Sequence, residues 1–226
     1  MTDPLPRFTS TPARLTLGGL APLPFIAVVI LQAAVQPGYS HVAHPISALA
    51  AFPLGWIQNI NFYVLGTFTI AYAIGVHVAG YPTRRGVIGP TLLGLSGVGL
   101  ILCGVFPWRQ ENGVFFEPAG HAVAAITTFL GTSLGHMVIS RRMLRDPAWT
   151  SLASYVLASG VVMLLLFFAV AYALEPGSPL APWTGLLQRV LTVVWTACTS
   201  VVAFRGWRIR VNATFSPSLT SRDEPT

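Results

Sequence analysis

The chain has 226 residues, of which 53% are hydrophobic and only 9% are charged. A soluble globular domain carries about 25% charged residues, so this composition excludes an ordinary soluble domain and indicates an integral membrane protein. A formal net charge of +6 would suggest nucleic acid as the partner of a soluble protein. Here the arginines lie at the ends of apolar segments, where membrane topology accounts for them, and we expect no nucleic-acid partner.

Six apolar segments are long enough to cross a membrane as helices, which takes about 20 mostly apolar residues. The predicted spans cover residues 15–35, 57–78, 87–106, 120–140, 152–174 and 183–204. The first segment exceeds the roughly 7–15 apolar residues of a signal-peptide core, so we interpret it as a retained helix. The predicted fold is therefore all-α, a six-helix transmembrane bundle over residues 15–205 with a tail at 1–14 and a flexible tail at 206–226.

Arginine determines the predicted orientation, because the chain contains no lysine. Eleven of the 13 arginines precede span 1, follow span 6, or lie between spans 2 and 3 or spans 4 and 5. The opposite side has only Arg109, in a loop, and Arg189, near the start of span 6. The positive-inside rule then predicts cytoplasmic termini and a multi-pass protein of the inner (plasma) membrane of a cell.

Loop 1, residues 36–56, contains the sequence YSHVAHPISALAAF. Pro45 is suited to the first position of a short helix, which would put His44 and Ser47 on one face. The segment is too apolar for an ordinary exposed loop and too short to span the membrane. We expect it to lie at the membrane interface or to fold back into the mouth of the bundle.

Several polar side chains are predicted to meet at the loop-1 side of the membrane. Gln58 and Asn61 are three residues apart on span 2, so both can face the bundle interior. An arginine inside the membrane costs about 2.5–3.5 kcal/mol at the helix centre, which makes Arg189 notable, although it could also reach the surface or pair with Glu117 or Glu175. The candidate ligand-binding residues are His44, Ser47, Asn61, Arg109 and Arg189, and the candidate catalytic residues are Glu117 and His121.

Four functional interpretations follow from this set. In the first interpretation the polar groups only cross-link helices. In the second they form an outward-facing pocket for the headgroup of a membrane lipid or an isoprenoid, with no metal or cofactor. A third interpretation is a membrane enzyme, a cyclase, transferase or hydrolase on such a lipid, with Glu117 and His121 as acid and base. No GxSxG or HExxH motif supports a particular hydrolase.

The fourth interpretation is a haem redox protein. His121 and His136 are 15 residues apart, roughly 22 Å along one helix, with His41 or His44 and His77 as the possible second ligands. His77 and His136 are more simply interpreted as interfacial residues. Cys103 and Cys198 both fall inside spans and indicate neither a disulfide nor a metal site.

Small residues recur on two spans. Gly97 and Gly104 lie seven residues apart on span 3, and Gly131 and Gly135 form a small-xxx-small pair on span 4. Such residues let helix backbones approach closely in lipid. We expect them to pack helices within one chain, with a homodimer through these faces as the alternative.

Four sequence segments resemble one membrane-protein family. HPISALAAF, QNINFYVLGTF, GLSGVGLILCGVFP and GHAVAAITTF are similar to the elements of domain of unknown function 998 in bacteria and archaea. The family elements fall on Pro45, Ser47, Leu49, Asn61, Phe62, Gly104, Phe106, Pro107 and His121. Family members often carry an acidic residue just after the FP pair, where this chain has WRQE and Glu111 is the nearest substitute. The arrangement is also similar to the DRAM and Sfk families, and the resemblance implies a six-helix fold without implying an activity.

Overall fold

The computed structural model of the protein describes residues 11–79 and 86–215. Within them, six helical segments are long and apolar enough to cross a membrane. The helices are α1 (Thr11–Leu20), α2 (Pro22–Ala34), α3 (Gly55–Ala79), α4 (Ile88–Val105), α5 (Ala119–Met143), α6 (Thr150–Ala173) and α7 (Thr184–Phe215), with short 3₁₀ helices at Ile46–Ala51 and Ala181–Trp183. The predicted all-α polytopic bundle is confirmed.

The spans close into a ring in chain order. The span formed by α1 and α2 packs against α3, and each later helix packs against the next, until α7 returns to α1. Six crossings place both ends of the spanning region at the same end of the bundle, the terminal end, and loop 1 at the opposite end, the loop-1 end. Which end is cytoplasmic stays a prediction, and Arg7, Arg84, Arg85 and Arg222, four of the arginines behind it, lie outside the described residues.

Two predicted boundaries differ from the structure. The first span is two helices that meet at Ala21, because Pro22 and Pro24 lack the N–H groups that would continue the hydrogen-bond ladder. The last helix begins at Thr184 and continues to Phe215, so residue 205 lies inside it. Helix-forming arginines can carry a helix beyond the apolar span, which is why hydropathy alone places the boundary too early.

Glycine contacts bring neighbouring helices to backbone distance. A Cβ on Gly97 of α4 would lie 2.7 Å from the Gly66 carbonyl oxygen of α3, and one on Gly131 of α5 would lie 2.7 Å from the Leu92 carbonyl oxygen of α4. Gly104 and Gly135 are likewise closed off by residues of adjacent helices. The glycine spacing is therefore accounted for by packing within one chain, and a homodimer stays a prediction.

Polar side chains also line the α4–α5 contact. The Ser96 and Thr132 hydroxyls hydrogen-bond to each other, and Thr128 donates to the Ala124 carbonyl at 2.9 Å. His136 is fully buried, with its Nδ1 2.7 Å from the Thr132 carbonyl oxygen. The interpretation of His136 as an interfacial residue is therefore wrong, because α5 turns this face toward the bundle interior.

Candidate functional site

Loop 1 folds back over the mouth of the bundle. Pro45, in extended conformation, precedes the 3₁₀ helix Ile46–Ala51, whose first four residues are buried. The Ile46 backbone N–H donates to Oε1 of Gln188 on α7. The expectation of a short helix folded into the bundle mouth is confirmed. Ser47 is buried whereas His44 is half-exposed, so the two predicted site residues face different surroundings.

Arg189 fastens loop 1 to α7. Its Nη1 donates to the carbonyl oxygens of His41 at 2.7 Å, His44 at 3.1 Å and Gly185 at 2.9 Å. Its Nη2 donates to the Tyr39 hydroxyl at 2.6 Å, and the guanidinium lies 5.5 Å from the centre of that ring. These acceptors are neutral groups of loop 1 and α7, so the cost of placing the cation here is offset without Glu117 or Glu175.

Gly185 is what lets loop 1 come so close to α7. A Cβ at this position would lie 2.3 Å from the His44 carbonyl oxygen and 2.8 Å from that of His41. The next residue, Leu186, donates its backbone N–H to the Val42 carbonyl at 2.9 Å. The first turn of α7 thus contacts the carbonyl groups of three loop-1 residues, His41, Val42 and His44, and only glycine leaves the required space.

A β-hairpin covers loop 1 from the other side. Strands β1 (Arg109–Glu111) and β2 (Val114–Phe116) are antiparallel, and Asn112 and Gly113 both have positive φ, as a two-residue Asn-Gly turn requires. The Phe115 ring lies 4.9 Å from the ring of His44 and 5.4 Å from that of Phe52. Arg109 is exposed on the first strand, at the rim of this cover.

The loop-1 histidines are neutral near pH 7. Burial, followed by the charge of Arg189, lowers the pKa of His41 and of His44 below 6.5. The Ser40 backbone N–H also donates to Nδ1 of His44 at 2.9 Å, which requires that nitrogen to be unprotonated. Since the folded state binds fewer protons, acid below about pH 6.5 favours release of loop 1.

Beneath loop 1 lies a layer of buried polar side chains, which we call the polar layer: Gln58, Asn61, Trp108 and His121. His121 has no exposed surface, and its Nδ1 lies 2.9 Å from the Phe106 carbonyl oxygen and 3.2 Å from that of Cys103. Its Nε2 has no hydrogen-bond partner. An imidazole held at Nδ1 by backbone carbonyls presents the lone pair of Nε2 to whatever lies beside it.

Two aromatic rings pack against that imidazole. The Trp108 ring lies 6.2 Å from the His121 ring, and the Phe62 ring lies 6.3 Å from it. Gln58 is one helical turn from Phe62, on the same face of α3 and nearer the start of that helix. Gln58 is fully buried, and neither its oxygen nor its nitrogen has a partner.

Asn61 belongs to the polar layer, and Glu117 borders it. The Asn61 amide nitrogen donates to the Phe25 carbonyl at 3.2 Å, which ties α3 to α2. Burial raises the pKa of Glu117, and the nearby Trp108 side chain partly offsets that increase. Nε1 of the Trp108 indole forms no hydrogen bond of good geometry. The Glu117 carboxylate therefore lies near this nitrogen but is not well aligned with it.

The predicted site residues thus fall into three groups. Asn61 and His121 belong to the polar layer and Glu117 borders it, whereas His44, Ser47 and Arg189 belong to loop 1 or to its attachment to α7. Arg109 stands apart at the exposed rim. Sequence reasoning missed Tyr39 and Gln188; a signal for Gln188 existed, since it adjoins Arg189 within an apolar span.

The haem interpretation stays a prediction. The rings that pack against His121 are Phe62 and Trp108, while His136 stacks on Tyr72 at 6.3 Å. Among residues 11–79 and 86–215, no three His, Cys, Asp or Glu side chains come together as a metal site would require.

The comparisons with known proteins identify the family. A family model described as protein of unknown function (DUF998) matches residues 20–205. The chain belongs to the DUF998 family. Comparison with curated proteins gave no match, and neither did comparison with solved structures. The matched residues of this DUF998 protein include the whole polar layer, loop 1 and Arg189.

Proposed function

We propose that this DUF998 protein binds the polar headgroup of a membrane lipid or an isoprenoid in the polar layer. The observation that carries the proposal is a set of three buried polar atoms without protein partners: Oε1 and Nε2 of Gln58 and Nε2 of His121. Nε1 of Trp108 also lacks a well-aligned hydrogen bond, although the Glu117 carboxylate lies near it. Buried polar groups in native proteins nearly always have partners, so these atoms favour a polar ligand or ordered water in the polar layer.

The surroundings favour a headgroup attached to an apolar chain. A mainly apolar cavity of about 30 Å³ below loop 1 is lined by Ser47, Phe62, Cys103 and Gln188 among others, but by none of the four polar-layer residues. Phe62, whose ring packs against His121, connects this cavity to the polar layer. The cavity holds about one water molecule, so in the proposal a headgroup enters only when loop 1 moves away. In the proposal Arg189 controls the position of loop 1, and Arg109 at the rim meets an anionic group. By the positive-inside rule the site faces outward from the inner membrane.

Native mass spectrometry in mild detergent, on protein purified from its own host membranes, tests the proposal. We expect wild-type protein to carry an adduct whose mass identifies the ligand. Gln58→Met, which keeps volume but removes both polar atoms, and His121→Ala should each lose it. Thr67→Val is the matched control, because the Thr67 hydroxyl is exposed on the same helix and bonds only to the Tyr63 carbonyl at 2.8 Å.

Two results would count against ligand binding. If wild-type protein carries no adduct, the orphan atoms are satisfied by water. If Gln58→Met and Thr67→Val retain the same adduct, the ligand lies elsewhere. Thermal unfolding of each variant shows whether the protein remains folded, so that a lost adduct is not mistaken for a lost fold.

A second candidate function is catalysis on the same class of lipid. The observation favouring it is Glu117, whose raised pKa suits a general acid and which borders the polar layer that contains His121. In that mechanism Glu117 would donate a proton to the bound headgroup and Nε2 of His121 would accept one. Such an enzyme should lose turnover in Glu117→Gln and in His121→Ala while remaining folded.

The protonation of Glu117 can be tested without a known substrate. Because burial raises its pKa above 4.5, the folded protein binds more protons than the unfolded chain just above that pH. Stability should therefore fall as the pH rises through 4.5 toward the folded-state pKa. Glu117→Gln should remove this part of the pH dependence and raise the melting temperature at neutral pH.

Thermal unfolding in detergent between about pH 4 and pH 8 measures the effect. Glu111→Gln is the control, because Glu111 is exposed on the neighbouring strand. If Glu117→Gln and wild type show the same pH profile, Glu117 is ionised as it would be in water, and its role as an acid is excluded.

A further inference from the structure

A separate cleft of about 410 Å³ opens at the terminal end of the bundle. Its apolar part lies between four helices and the α5–α6 turn and is lined by Leu15, Val76, Val138, Ile139, Met143 and Trp149. None of these residues belongs to the polar layer, which lies near the opposite end of α5. The cleft is large enough for a substantial part of an acyl chain, unlike the small cavity below loop 1.

Three arginines line the rim of this cleft. Arg141 and Arg145 are exposed, and Arg142 donates to the Gly86 carbonyl at 3.2 Å. The one acidic group among the described lining residues is Asp146, which gives these four groups a combined formal charge of +2. Its Oδ1 also accepts the Ala148 backbone N–H at 2.9 Å, so part of the carboxylate is engaged by the turn.

Hydrogen bonds fix the turn that carries the rim. Arg205 of α7 donates from Nε at 2.9 Å and from Nη2 at 2.7 Å to the Ala148 carbonyl. Thr150 donates its hydroxyl to the Asp146 carbonyl at 2.7 Å, and the Trp149 side chain is buried. Because α7 and the start of α6 both hold the turn, Arg145 and the wall of the cleft are positioned before any ligand arrives.

We propose that this cleft binds an anionic phospholipid of the surrounding membrane. The phosphate would lie between Arg141 and Arg145, and one acyl chain would enter the apolar part between the helices. Guanidinium groups suit phosphate because they donate paired hydrogen bonds to it. A basic pocket between helices, where the spans leave the hydrocarbon, is the setting in which anionic headgroups bind membrane proteins. An apolar floor beside a cationic rim matches a lipid better than a small phosphate ion.

Titration of the detergent-solubilised protein with phosphatidylglycerol, followed by native mass spectrometry, tests this site. Phosphatidylcholine with the same acyl chains is the neutral comparison lipid. At about fivefold per arginine, the double variant Arg141→Gln/Arg145→Gln should bind phosphatidylglycerol roughly 30-fold more weakly while its affinity for phosphatidylcholine stays unchanged. Arg208→Gln is the matched control. Arg208 is an exposed arginine of α7 at the same terminal end of the bundle, and it does not line the cleft.

Val138→Trp tests the apolar part and separates a lipid from a soluble phosphate. Val138 is half-buried and lines the cleft. A tryptophan side chain at this position should therefore fill part of the cleft with little effect on the core. We expect weaker binding of phosphatidylglycerol in this variant.

The proposal is overturned if Val138→Trp binds the lipid normally while glycerol phosphate competes for the arginines. It also fails if Arg208→Gln weakens binding as much as the double variant does. Because Gln58→Met leaves this cleft intact, the two lipid sites fail independently.

Discussion

Arg189→Leu is expected to release loop 1 from α7. The substitution removes all four hydrogen bonds of the guanidinium, to three carbonyl oxygens and the Tyr39 hydroxyl. Hydrogen bonds from a charged donor contribute about 1.5–3 kcal/mol each but are not additive, so we expect a loss of about 3 kcal/mol. For a chain of this size the melting temperature should fall by roughly 6–12 °C. Amide hydrogen exchange should become faster in residues 39–52.

Arg109→Leu is the matched control for this variant. Arg109 is an arginine at the same end of the bundle, but it is exposed on the hairpin, so its removal should change stability by less than about 0.5 kcal/mol. Arg189→Lys should give an intermediate loss, because a single ammonium cannot reach the same acceptors as the planar guanidinium. If Arg189→Leu leaves both the melting temperature and loop-1 exchange unchanged in lipid-free protein, Arg189 does not fasten loop 1 and its role as a direct ligand-binding residue gains weight.

Gly97→Ala is expected to force α3 and α4 apart. The new methyl group would lie 2.7 Å from the Gly66 carbonyl oxygen and 2.7 Å from a side-chain carbon of Ile70. A backbone carbonyl cannot turn away as a flexible side chain can, so the helices must separate where they contact most closely. Overpacking of this kind costs about 1–3 kcal/mol. We expect a lower yield of folded protein and a lower melting temperature.

Gly94→Ala provides the comparison on the same helix. A Cβ there would meet only the Ala73 Cβ at 3.9 Å, an ordinary van der Waals distance. The substitution should be neutral, or stabilising by up to about 1 kcal/mol because alanine favours the helix. Equal melting temperatures for Gly94→Ala and Gly97→Ala would show that the α3–α4 contact is looser than the structure has it.

The two proposed lipid sites differ in what holds the ligand. In the polar layer, uncharged atoms of Gln58, Trp108 and His121 surround the site, and loop 1 must move to admit a headgroup. At the terminal end, arginines surround an open cleft and no movement is needed. Binding at the polar layer should therefore be slow and selective for headgroup hydrogen bonds, whereas binding at the cleft should be fast and sensitive to salt.

The sequence by itself determined the membrane class, the six spans and which polar residues lie toward the loop-1 end. These follow from one-dimensional quantities: the length of an apolar run, and the alternation of ends that each crossing imposes. It also contained the segments that mark the DUF998 family. Its errors lie where hydropathy carries no signal, at the break before Pro22 and at the continuation of α7 beyond residue 205.

Only the tertiary structure decided which partners the polar residues have. Arg189 binds loop-1 carbonyl groups rather than a carboxylate, His136 turns inward rather than toward an interface, and the amide of Gln58 has no partner. The sequence places each residue along a helix axis, but the helix rotation and the path of loop 1 depend on packing. That packing depends on close contacts such as those at Gly97 and Gly185, where the absence of a Cβ lets another segment approach.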